Sequence, residues 1–155
     1  MAYIAFQHAI AEKKPLRRLL LTLGNQNEII HCEFILANNS LRLSAWQNSG
    51  VEFREVKDTN LKQFIAYDLG NGVDAQLLEY FNQKKGSEYD TMALITDMIA
   101  GFNLKRNNRY FCSEICYDIL KNQLSYPLPE KIPSSVSPQQ LYEMIVATDL
   151  QQVYL

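Results

Sequence analysis

Apolar and polar positions follow two different periods along the chain, with the change near residue 72. In the first part, short runs alternate apolar and polar residues or are almost wholly apolar, which is the pattern of strands. Tyr3 to His8 predicts a short strand, Ile29 to Leu36 a strong one, and Leu41 to Trp46 its hairpin partner across Ala37-Asn38-Asn39-Ser40. Asn48-Ser49-Gly50 turns the chain again. Val51 to Lys57 sets Val, Phe and Val against Glu, Arg and Glu, as a half-buried strand does, and Lys62 to Leu69 predicts one more, closed by Gly70-Asn71-Gly72. One helix interrupts this part: Pro15 to Leu23 places Leu16, Leu19, Leu20 and Leu23 on one face and ends at Gly24-Asn25.

From Asp74 the spacing becomes helical. Asp74 to Lys84 carries Leu77, Leu78 and Phe81 on one side and stops at Gly86. Tyr89 to Ile99 predicts a second helix, ended by Gly101. Arg109-Tyr110-Phe111 leads into a third, Ser113 to Leu124, apolar at Ile115, Cys116, Ile119 and Leu120. Pro127, Pro129 and Pro133 mark a loop. Ser137-Pro138 starts a last helix, with serine as N-cap and proline at the first position. Strands first and helices after predict an α+β domain: an antiparallel sheet with helices packed beside it, a single domain over residues 1–155.

Composition narrows the function classes. Of the 155 residues, 47% are hydrophobic and 21% charged, enough apolar surface for a packed core. The net charge is -2, and the basic residues come in separate pairs (Lys13-Lys14, Arg17-Arg18, Lys84-Lys85, Lys105-Arg106), which argues against nucleic acid as a partner. The first residues lack the charged start and apolar run of a signal peptide, and no stretch approaches a transmembrane span. The expectation is a soluble, cytoplasmic protein, with export by a signal-independent route left open. Three cysteines, Cys32, Cys112 and Cys116, are an odd number without a secretory signal, so free thiols are expected.

Each thiol is a candidate for packing or for chemistry. Cys112 opens a helix, where the positive end of the dipole favours a thiolate; as a small buried hydrophobe it would be equally ordinary. Cys116 lies one turn on, on the apolar face, and Cys32 alternates away from His31 on its strand; both read as packing. His31 sits inside an apolar strand and shares its face with Glu33, whose carboxylate could hold the imidazole in one tautomer. A backbone-satisfied core histidine is the plainer alternative. His8 reads as structural. Glu114 in the first turn reads as dipole placement or a cap rather than a site carboxylate. Tyr89 fits a site lining or helix packing equally well, and Trp46 a core position or pocket wall.

The string Arg109-Tyr110-Phe111-Cys112-Ser113-Glu114 resembles the FCSE nucleophile motif of the circularly permuted papain-like amidases, the YiiX/YaeF-like family related to NlpC-type cell-wall peptidases and lecithin:retinol acyltransferase. Ile30-His31-Cys32-Glu33-Phe34-Ile35 resembles the HxE strand of the same family, phage- and prophage-type members above all. Gly50-Val51 after the hairpin, Tyr89-Asp90 before the cysteine, and Ser137-Pro138-Gln139-Gln140-Leu141-Tyr142 near the end resemble its further segments, in family order over residues 28–145. The histidine precedes the cysteine, the reverse of ordinary papain-like enzymes. Many relatives carry a polar third residue, often Glu or His, on the strand after the histidine strand; the corresponding stretch here is Leu43-Ser44-Ala45-Trp46-Gln47, where Ser44 is a poor orienter of a histidine, so Glu33 or Gln47 is expected to take that part.

The resemblance implies a permuted papain-like, NlpC-like fold and a thiol hydrolase (amidase- or peptidase-like) or acyltransferase. Cys112 would be the nucleophile and His31 the base, Glu33 would orient His31, and Gln47, Ser44, Tyr89, Ser113 and Glu114 would lie around the site. The backbone N–H of Cys112 or Ser113 would help hold an oxyanion. The partner implied is an acyl-bearing substrate (peptide, peptidoglycan or lipid), with no metal and no cofactor. Two rival readings stand beside it. One is a family member without turnover, acting as a binding module. The other is a zinc site of His31, Cys112 and Cys116, which lacks a CxxC-like knuckle and a fourth ligand.

Overall fold

In the computed structural model, which describes residues 1–9, 28–36, 40–55, 63–89 and 109–155, six strands form one sheet and three helices pack beside it. The strands are β1 (Ala2–His8), β2 (Ile29–Leu36), β3 (Leu41–Trp46), β4 (Gly50–Glu55), β5 (Phe64–Asp68) and, near the C-terminus, β8 (Gln152–Val153). Their order is β4-β3-β2-β1-β5-β8, every neighbouring pair antiparallel. The helices are α1 (Asp74–Lys84), α2 (Cys112–Asp118) and α3 (Pro138–Val146). The antiparallel α+β architecture expected from the periods is therefore present. The helix over Pro15–Leu23, the turn residues 37–39, positions 56–62 and 90–108 lie outside the described residues. No helix among the described residues is long and apolar enough to cross a membrane.

Strand alternation divides the sheet into two faces. Ile4, Phe6, Cys32, Phe34, Leu43, Ala45 and Val51 face the helices and meet Leu77, Phe81, Ile115, Cys116, Ile119, Leu141 and Ile145 in the main core. Ala5, Ile35, Phe64 and Ala66 form a smaller cluster of their own, with Tyr3 and Val153 packed against it.

Three expectations need correction. Tyr89 does not begin a helix: Glu88–Tyr89 is a short strand (β6) that pairs in parallel with Arg109–Tyr110 (β7). The cysteine helix begins one residue early, at Cys112. Its later half, Ile119–Gln123, widens into a π-helical turn, with Leu124 N–H donating to Ile119 C=O at 2.9 Å. The pairing of β8 with Ala66 and Tyr67 went unforeseen.

Two sequence signals set local geometry and carry predictions. Ser137 and Gln140 form a reciprocal capping box at the start of α3, with bonds of 3.2 and 3.0 Å. This helix also reaches the sheet, because Gln139 Oε1 accepts from the Ile29 N–H at 3.0 Å, two residues before His31. Ser137→Ala is expected to cost about 1 kcal/mol, seen as a drop of about 2–4 °C in melting temperature. Gly50 closes the β3–β4 hairpin at φ +74°, and a Cβ there would lie 2.0 Å from the Ser87 carbonyl oxygen. Val51 N–H donates to that same oxygen at 2.9 Å, so the strand cannot retreat cheaply. Gly50→Ala is expected to cost roughly 2 kcal/mol, combining left-handed strain with the clash. A melting curve unchanged from wild type would contradict this.

Candidate active site

β2 and β3 pair in register only from Leu36–Leu41 to Phe34–Leu43. Beyond that, the Cys32 carbonyl accepts from the Ser44 hydroxyl at 2.8 Å, a side chain taking the place of a backbone rung. α2 packs against both strands. His31, on the strand face opposite Cys32, and Cys112, the first residue of α2, come within reach of each other. Each side chain shifts the other: Cys112 raises the His31 pKa, and His31 pulls that of Cys112 down. Trp46 stands beside the imidazole, ring centroids 6.1 Å apart.

The other side of His31 is acidic. Its Nε2 lies 3.3 Å from Glu33 Oε2, and the Glu33 side chain is 0% exposed. That nitrogen is buried and makes no hydrogen bond of normal geometry. Glu33 is gripped from the neighbouring strand by Arg42, whose Nε and Nη2 donate to its two oxygens. The guanidinium also lies over the Phe64 ring, 5.4 Å from its centroid. Arg42 was not singled out in the sequence. Hairpin register would have found it, since Arg42 sits diagonally across from Glu33 on the same face.

These contacts set the protonation. Burial alone would lower the His31 pKa; Cys112 and the Glu33 carboxylate outweigh it and lift it to about 9. Burial would raise Glu33, but His31 and Arg42 reverse that and hold its carboxyl below the usual range. The Cys112 thiol is pushed well up by contact with Cys32 and by burial, against the pull of His31. Cys112 and His31 therefore titrate as a pair.

The three thiols are closer together than strand and helix positions suggested. Cys32, Cys112 and Cys116 are all buried, and Cys32 interacts with both of the others. Cys112 is 1% exposed, so its thiol does not face an open cleft. Burial pushes Cys32 and Cys116 up as well, the state of inert packing thiols. Among the described residues no group of three or more His, Cys, Asp or Glu is arranged to hold a metal ion.

The remaining candidates scatter. Ser44 is committed to the Cys32 carbonyl, and Gln47 lies exposed in the turn after β3. Ser113 is buried and donates to the Val136 carbonyl at 2.6 Å. Glu114 is buried near Tyr80, whose phenol is raised by burial, by Asp118 and more weakly by Glu114. Tyr89 is half-buried opposite Tyr110, two residues before Cys112. A hollow of about 250 Å³ lined by Gln76, Glu79, Tyr80, Gln83 and Gln123 lies away from the Cys112–His31 pair. No family model matches the chain, and neither a curated protein nor a solved structure does.

Proposed function

We propose that this chain is a cysteine-dependent hydrolase or acyltransferase of permuted papain-like design, with Cys112 as nucleophile, His31 as proton acceptor and Glu33 as the residue that orients His31. The observation that carries the reading is the contact of Cys112, first residue of α2, with a histidine whose far nitrogen faces a buried carboxylate. The cap residue Phe111 offers no side-chain acceptor, so the first N–H groups of the helix are not taken up by a capping side chain.

In this mechanism the Cys112 proton passes to His31, the sulfur attacks the acyl carbon, and the thioester forms as the leaving group departs with a proton from His31. Water completes hydrolysis; another nucleophile completes transfer. Neither step requires a metal or cofactor. The acyl group belongs to a peptide, peptidoglycan or lipid, and a cytoplasmic setting fits the sequence.

The reactive state of the pair has lost one of its two protons. With that loss centred near 9, the acylation rate should climb about tenfold per pH unit from 6 to 8 and level off near 9. The test is p-nitrophenyl acetate with peptide mapping by mass spectrometry. Acetyl transfer to Cys112 in the wild type, lost in His31→Ala, supports the reading. Equal labelling of Cys112 with and without His31 overturns it. A buried, neutral Cys112 also favours a second reading, a binding module without turnover; absence of acetylation at any pH up to 9 would select it.

A further inference from the structure

The Glu33–His31 contact is incomplete as it stands. Glu33 Oε2 is 3.3 Å from His31 Nε2, yet Nε2 has no hydrogen bond of normal geometry. The same Oε2 accepts from Arg42 Nη2, while Oε1 accepts from Arg42 Nε. One carboxylate is thus shared unequally: a planar fork takes both oxygens, and the imidazole receives the remaining side of one. A guanidinium fixes a carboxylate in plane and in direction, which an ammonium cannot do.

We propose that Arg42 is a positioning residue that acts through Glu33, holding the carboxylate back from His31 so that the imidazole is oriented by it without being locked as imidazolium. This rests on the Cys112–His31 reading above. Glu33 at Nε2 leaves Nδ1 as the nitrogen that exchanges a proton with Cys112. The charged and titratable groups facing His31 are Glu33 on its own strand and Cys112 from α2, with Arg42 on β3 acting from behind Glu33. Were the grip loosened, Glu33 could close on Nε2. At any pH where His31 is neutral, Glu33 would then be a buried carboxylate with too little compensation, and His31 would keep its proton to higher pH.

The chain has two histidines, so the titration can be read directly. In a His8→Gln background, the single imidazole is followed by proton NMR in wild type, Arg42→Lys, Arg42→Gln and Glu33→Gln. Arg42→Lys keeps the charge and loses the fork, which keeps the experiment decisive if Arg42→Gln fails to fold. The expected result is an upward shift of at least about half a unit in Arg42→Lys and more in Arg42→Gln, with Glu33→Gln falling by about one unit or more. A merely structural Arg42 would lower the melting temperature and leave the titration in place. Unmoved titration in folded Arg42→Lys, alongside a fall in Glu33→Gln, overturns the proposal. Acetylation of Cys112 is measured on the same samples. Shifted titration with no acetylation in the wild type would sink the catalytic reading while the coupling of Arg42 to His31 stood; acetylation with unmoved titration would do the reverse.

Discussion

Replacing Cys112 with serine is expected to slow acyl transfer from p-nitrophenyl acetate by at least about 10³-fold, since a hydroxyl paired with this imidazole has far less anionic character than a thiol. The serine will not be silent for stability. Its hydroxyl replaces a sulfur that is 1% exposed and in contact with Cys32, so a loss of about 1–2 kcal/mol is expected. Cys112→Ala controls for that, with the same loss of rate and no new buried hydroxyl. The neighbouring thiols behave differently. Cys116→Ala should cost on the order of 1 kcal/mol and spare the rate. Cys32→Ala should cost a similar amount and speed acylation near neutral pH, because Cys32 is the leading cause of the raised Cys112 thiol. Rate loss in Cys32→Ala or Cys116→Ala equal to that in Cys112→Ser, with all variants folded, would end the single-nucleophile mechanism.

Arg42→Ala is expected to be the most destabilising of the substitutions considered, at about 3 kcal/mol, because it removes both guanidinium hydrogen bonds from the fully buried Glu33 carboxylate and leaves its charge to His31. Its size is checked by urea denaturation at pH 6. The wild-type pH dependence follows from the same groups. Glu33 is lowered on folding, so its contribution is present above its ordinary value of 4.5 and is lost as pH falls through the folded value. His31 is raised, so its contribution is full below 6.5 and is lost as pH rises towards 9. The raised thiols act in the same alkaline direction above their ordinary value of 9. Stability should therefore be greatest between about pH 4.5 and 6.5 and decline through 9. His31→Gln should flatten the decline between 6.5 and 9; an unaltered slope there would refute the assignment.

The parts of the fold that were legible are those with a local cause. β2, β3, α1 and the capped start of α3 each combine a clear period with a turn or cap residue, and their bounds agree closely with the periods read from sequence. β6 was misread because its partner, Arg109–Tyr110, lies some twenty residues on, and a two-residue parallel pairing leaves no period behind. In the site, strand alternation correctly put His31 with Glu33 and Cys32 on the reverse face. It could not show that one thiol, Cys112, interacts with both His31 and Cys32. The Arg42 grip was readable in principle, because a four-residue turn fixes which residues stand diagonally across a hairpin.

The near-complete burial of Cys112 has a kinetic consequence. An acyl donor cannot reach the sulfur in the conformation described, so it must react with a minor, open population. If that population is about 1% of molecules, within the usual range for accessible excited states, the second-order rate constant is about 100-fold below that of the open form. At high donor concentration the rate should stop rising and settle at the opening rate, whatever the donor's leaving group. A substrate that binds the open form would remove this penalty as it binds, so discrimination between acyl donors would reside in the gate as much as in the chemistry.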